Sequence, residues 1–162
     1  MMKIVLSEKK EKNSLVVIHF HILNQSYNSL PQVETCGVTT TIIDFSLSRL
    51  SMDKVTIFNN LSEDPTLFTA RGKDQPGGDY QFDIYRKMKE TNSNNWEPFQ
   101  PKTNILWLDY MLDKMTTEVY YSAKKTTKPH KSGMGKIRSI RSSLANFACA
   151  ADWVRREGDR VD

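Results

Sequence analysis

The sequence predicts an α+β chain that is mainly α. Two observations carry this. β-branched and aromatic runs at 16–23 and 38–43 fall inside the first 50 residues, and from Asp79 onward apolar residues recur at helical steps. The clearest of these stripes is Ile137, Ile140, Leu144, Phe147, Ala151 and Val154, which alternates steps of three and four. The length of 162 residues suffices for one domain with a core. A hydrophobic content of 38% with 26% charged residues indicates a soluble globular chain. The formal charge of +4 permits nucleic-acid contact without arguing for it. No apolar run is long enough to span a bilayer, so no membrane partner is expected. The short apolar start, Ile4-Val5-Leu6, runs at once into charged residues and does not read as a signal peptide. Cys36 and Cys149 stand far apart, which excludes a disulfide framework or a Cys-based zinc site and suggests a reducing interior.

Taken in order, residues 7–14 read as a charged turn. Residues 16–23 read as a strand, closed by the polar segment 24–28. His19 and His21 share one face of it. Such a pair can ligate a metal, but no third ligand is evident, so both are read as packing residues. Pro31 and Gly37 punctuate a loop, and residues 38–43 form a second strand expected to pair antiparallel with the first. Residues 53–78 lack a sustained helical period. They hold a short apolar stretch at 55–58 and a loop with Pro65, Gly72, Pro76, Gly77 and Gly78. A helix follows at 79–89 with Phe82, Tyr85 and Met88 on one face and Asp79 as its cap. The polar run 91–95 breaks it. Pro101 and Thr103 open a second helix whose buried side is Ile105, Leu108, Met111, Leu112 and Met115. Residues 124–135 read as a basic linker. The last helix runs from about Lys136, and the tail from Gly158 frays.

Two strings carry chemistry. In Thr41-Ile42-Ile43-Asp44-Phe45-Ser46-Leu47-Ser48-Arg49-Leu50, a β-branched run ends in a carboxylate. That is how phosphoryl-transfer sites present a metal-binding Asp, although alone Asp44 reads more readily as a turn residue. The second string is Gly78-Asp79-Tyr80-Gln81-Phe82-Asp83-Ile84-Tyr85-Arg86. With Leu61 to Thr69, Asn104 to Tyr110 and Asn146-Phe147, these strings resemble the C-terminal lobe of the haspin-type atypical Ser/Thr protein kinases. The resemblance runs from about Val16. Ordinary kinases carry Asp-Phe-Gly, whereas this family carries Asp-Tyr-Thr or similar before Leu-Ser-Arg-Leu. Ser46 in place of Gly restricts backbone swing, which fits a family whose activation segment is held ready.

The resemblance implies a kinase-like C-terminal lobe without the N-lobe: a strand pair with the Asp-Phe-Ser segment at 15–50, an activation-segment-like loop at 51–78 and a helical part at 79–157. It implies that Asp44 binds magnesium and the phosphates of ATP. It implies that Asp64, beside Thr66, faces a basic histone tail. Thr66 stands where the family has a second carboxylate, a departure expected to weaken charge-assisted contacts, and Asp64 reads equally as an Asp-Pro turn. Asp79, or alternatively Asp83, would anchor the catalytic loop from below. Residues 70–76 look like an addition to the family pattern. Trp107 and Tyr110 are read as core or interface aromatics. Lys124, Lys125, Lys128, Lys131, Lys136, Arg138 and Arg141 could touch DNA or chromatin, though such runs are more often a solvated face. There is no Gly-rich loop, β3 Lys, helix-C Glu or His-Arg-Asp loop with its catalytic Asp and Asn. The expectation is therefore part of a kinase that, in full-length form, phosphorylates a threonine near the N-terminus of a core histone tail in mitosis. The chain alone is expected to be a monomer without activity, at the nucleus and chromosomes, or otherwise cytoplasmic. The alternative is a non-catalytic module that binds a histone tail or chromatin.

Overall fold

The computed structural model describes residues 3–8, 15–16, 33–34, 38–43, 47–122 and 124–157. The chain divides into two compact units, Met1–Leu50 and Ser51–Asp162. In the first, β1 (Lys3–Glu8) pairs antiparallel with β4 (Val38–Ile43) in a continuous register from Lys3↔Ile43 to Glu8↔Val38. β2 (Leu15–Val16) pairs antiparallel with β3 (Val33–Glu34). β4 forms where its β-branched run predicts it. Its partner is not the expected segment at 16–23 but Lys3–Glu8, read from sequence as the chain start and part of a charged turn. The Ile4-Val5-Leu6 core gives β1 strand propensity, and a six-residue ladder satisfies many backbone groups at once. His19, His21, Cys36 and Asp44 lie outside the described residues.

A hairpin of β5 (Leu50–Met52) and β6 (Val55–Ile57) begins at Leu50 and leads into the second unit. The two-residue turn places Asp53 at φ 55°, a left-handed conformation that Asp tolerates better than most residues. A 3-10 turn at Leu61–Glu63 and the short α1 (Thr66–Thr69) follow, inside the stretch that sequence alone left without elements.

The helical part comprises α2 (Tyr80–Thr91), α3 (Lys102–Thr117), α4 (Lys128–Leu144) and α5 (Ala150–Glu157). α3 packs against α2, α4 and α5. The Asp79 carboxylate accepts a hydrogen bond from the Gln81 N–H at 2.9 Å, so it caps α2 as the sequence predicts. α2 buries Tyr80, Ile84, Tyr85 and Met88, while Phe82 stays half-buried. Trp107 meets Tyr85 edge-on at 5.5 Å and Tyr110 edge-on at 5.4 Å, which gives these aromatics the packing role read from the sequence.

Two sequence expectations change here. On α3 the fully buried positions are Ile105 and Asp113, while Leu108, Met111, Leu112 and Met115 are half-buried. The inward line is therefore 105, 109, 113, at steps of four. The expected linker at 124–135 is helical from Lys128, and the single long helix expected from Lys136 is two helices broken at 145–149. Pro129 favours the first turn of α4, where its missing N–H is harmless. At the other end, the Lys102 ammonium donates to the carbonyls of Ala145 (3.2 Å) and Phe147 (2.7 Å) and satisfies acceptors that the helix end leaves open.

Candidate functional site

The site grows from the loop between α1 and α2. Its residues 70–76 are the apparent addition, and they are held in place from several sides. The Arg86 guanidinium donates to the carbonyls of Phe68 (3.1 Å) and Ala70 (2.9 Å) and to Asp83 (2.6 Å). The other Asp83 oxygen accepts from the Lys73 backbone N–H at 2.7 Å. The Asp79 N–H closes the loop onto the Arg71 carbonyl at 3.0 Å. Gly72 and Gly78 lie back to back: a Cβ on Gly78 would fall inside contact distance of the Gly72 carbonyl, and one on Gly72 would strike Asp83 and Arg86. The loop is thus a compact fold of its own on the α2 surface.

From it, the Lys73 ammonium reaches the carboxylate of Asp113, which is 3% exposed. Arg141 from α4 meets the same oxygen and binds Asp109 through two nitrogens, at 2.6 and 3.2 Å. The Tyr80 hydroxyl donates to Asp109 and accepts from Lys87 at 3.0 Å. Lys73, Lys87 and Arg141 all stand within 5.0–5.6 Å of the Tyr80 ring centre, a cation–π arrangement around one aromatic ring. Burial pushes the Asp109 carboxyl up. The hydrogen bonds from Arg141 and Tyr80 outweigh burial and hold it below the usual carboxylate range. Asp79 and Asp83 are shifted the same way. In each, burial is overcome, by the Gln81 N–H and Lys114 at Asp79 and by the Lys73 N–H and Arg86 at Asp83. Lys114, held between Asp79 at 3.0 Å and Glu118, keeps its proton well above the ordinary lysine range, burial notwithstanding.

The residues singled out from sequence are distributed as follows. Asp79 and Asp83 sit together at the start of α2, each engaged by cations and backbone N–H groups. Asp64 and Thr66 meet each other: one Asp64 oxygen accepts from both the Thr66 N–H (3.0 Å) and the Thr66 hydroxyl. Both are exposed at the start of α1. Phe68 of the same helix lines an open groove of about 420 Å³ with Arg86, Lys89, Glu90, Ser93 and Asn94. Of the basic run, Arg141 points inward to Asp109 and Asp113 and leaves the solvated face that the sequence assigned it. Lys124, Lys125, Lys128, Lys131, Lys136 and Arg138 stay exposed.

Sequence reasoning missed Lys73, Asp109 and Asp113. A signal existed: two acids four apart on the line that begins at Ile105 demand buried cations, and an Arg on the facing helix supplies one. Magnesium takes oxygen ligands, commonly one or two carboxylates with phosphates and water. Asp44 is a donor of the right type. Among the described residues no group of three His, Cys, Asp or Glu is arranged to hold a metal.

A family model described as "Haspin like kinase domain" matches residues 5–157. The serine/threonine-protein kinase haspin of Bos taurus is 36% identical over 144 residues, 89% of this chain and 17% of that protein. The haspin homolog of Drosophila melanogaster is 41% identical over 115 residues, 71% and 19% of the two chains. The homolog of Arabidopsis thaliana is 34% identical over 122 residues, 75% and 18%. The chain thus spans less than a fifth of the length of these relatives. A two-stranded antiparallel sheet followed by packed helices is the arrangement of a kinase-like C-terminal lobe portion, and it joins these matches in one conclusion: the chain belongs to the haspin-like kinase domain family.

Proposed function

We propose that this chain is the C-terminal-lobe part of a Ser/Thr protein kinase that transfers the γ-phosphate of ATP to a threonine in a histone tail. The observation that carries the reading is the family match across residues 5–157, supported by 36% and 41% identity to haspin kinases. In this reading Asp44 holds magnesium, which when bound neutralises charge on the nucleotide phosphates. Asp64, with Thr66 beside it, meets the basic tail. Asp79 supports the catalytic loop from the start of α2, with Asp83 as the alternative. The chain's own contribution is positional. The clamped loop at 70–78 and the Asp109–Arg141–Asp113–Lys73 network fix the segment between Asp64 and α2. Nuclear and chromosomal action belongs to the same proposal.

The 162-residue chain carries no His-Arg-Asp sequence, and the proposal gives it no turnover of its own. The test is a chimera in which the glycine-rich loop, the β3 Lys and the catalytic loop come from the cattle relative and residues 5–157 from this chain. It should phosphorylate a histone-tail peptide. Asp44→Ala should lower the rate about a thousandfold, the equivalent of the several kcal/mol a catalytic metal contributes. A folded chimera without transfer, or one indifferent to Asp44→Ala, removes the reading.

A further inference from the structure

We propose that the solvent face of α4 binds the phosphate backbone of a nucleic-acid duplex, an inference independent of the phosphotransfer reading. Between Glu118 and Asp152 the sequence has no Asp or Glu and seven Lys or Arg residues. The structure sorts these seven. Arg141 turns inward and locks the rotation of α4 through Asp109 and Asp113. The remaining six face outward. Lys128, Lys131, Gly135 and Arg138 stand at i, i+3, i+7 and i+10, a single stripe along the helix, with Lys136 beside it and Lys124 and Lys125 just before it. None of Lys124, Lys125, Lys128, Lys131 and Arg138 forms an ion pair among the described residues. The stripe spans about 15 Å at 1.5 Å per residue, a length over which a duplex presents about nine phosphate charges.

The glycines supply a second, independent observation. Glycine inside a helix is destabilising relative to alanine. Among the described residues a Cβ at Gly133 or Gly135 would meet nothing within 4 Å, so packing against them does not require either glycine. Gly135 sits at the centre of the cationic stripe, where the missing side chain lets a ligand backbone approach the helix. The chemistry of the face selects the partner. Its exposed residues are Lys, Arg, Ser, Gly and Pro129, while Met134 is only half-exposed and His130 packs edge-on against Tyr121, a composition of phosphate positioning and not of a protein hot spot. An amphipathic membrane helix needs a free apolar side, whereas α4 directs Leu144 into the core and packs on α3.

The test is fluorescence anisotropy of the 162-residue chain with a 20-base-pair duplex at 50 to 200 mM salt. Four or five phosphate contacts give a log–log salt slope of about −4. The triple variant Lys128→Glu, Lys131→Glu, Arg138→Glu should weaken binding at least about tenfold and flatten the slope, while Lys54→Glu in the β5–β6 turn should leave both unchanged. Gly135→Leu keeps every charge and favours the helix, yet should weaken binding about fivefold by blocking approach. Circular dichroism of each variant checks that α4 is retained. A flat salt dependence, a triple variant that binds like the parent, an unaffected Gly135→Leu, or binding to phosphatidylserine vesicles but not to the duplex each overturns the proposal.

Discussion

Asp113 is buried, two cations meet the same oxygen of its carboxylate, and the two are not equivalent. Arg141 is 29% exposed at its side chain and bridges Asp113 to Asp109, whereas Lys73 is 42% exposed and comes from a loop. Removing the shared carboxylate leaves Arg141 with Asp109 alone, so Asp113→Ala should lower the stability of the helical unit by about 2–3 kcal/mol. Lys73→Met loses a more exposed, solvent-screened contact and should cost no more than about 1 kcal/mol. Urea unfolding of both variants measures the difference, and equal costs would show that Asp113 is not held mainly by Arg141. The carboxylates also set a pH dependence. Asp79, Asp83 and Asp109 are held below their usual range in the folded chain. Unfolded carboxylates take up protons near pH 4, so the stability these three confer is complete above about pH 5 and is lost as pH falls through the folded values. Arg141→Gln should shrink that acid-side loss, because Asp109 then loses its first stabilising partner. An acid-unfolding curve indifferent to Arg141→Gln would contradict the assignment.

The glycines of α4 and of the clamped loop predict opposite responses to the same substitution. Gly133→Ala and Gly135→Ala add a methyl group in open space and remove backbone freedom from the unfolded chain, so each should stabilise by up to about 1 kcal/mol. Gly78→Ala drives the same methyl into the Gly72 carbonyl, a backbone atom that cannot swing aside, and should destabilise by more than that. Thermal melts of the three variants separate the two kinds of glycine. They also explain what was legible in the sequence at this scale. Helix α2 and strand β4 were, because a capping Asp and a β-branched run are local signals. The first half of α4 was not. Two glycines and a proline read as a linker, and the Arg141 pairing that secures the helix to α3 comes from 28 and 32 residues away. The pairing of β4 with Lys3–Glu8 escaped for the same reason, since register between segments about 30 residues apart leaves no local mark. At the candidate site, Asp79 and Asp64 were legible as caps and turns, whereas the Lys73–Asp113 contact depends on how the loop folds back.

The described core of the chain is small: Leu61, Tyr80, Ile84, Tyr85, Met88, Ile105 and Leu144 are its buried apolar residues. Against it stands the hairpin of β5 and β6, where Met52, Val55 and Ile57 are each more than 60% exposed and Leu50 is 56% exposed, while Ser51 and Thr56 bond across the opposite side. Among the described residues the hairpin pairs with no further strand, and a two-stranded hairpin with one apolar side is a template for pairing with another copy. Against the monomer expected from sequence, the chain should self-associate as concentration rises, and this face should be the cause. Met52→Lys with Ile57→Lys removes two exposed apolar side chains that contribute little burial and places like charges where copies would meet. The double variant should lower static light scattering several-fold at equal concentration and leave the urea midpoint of the helical unit within about 0.5 kcal/mol of the parent. The two readings divide the explanations. Unchanged scattering with an unchanged midpoint places the sticky surface elsewhere. A lowered midpoint shows that the hairpin is part of the folded core and that its apolar side is covered in solution.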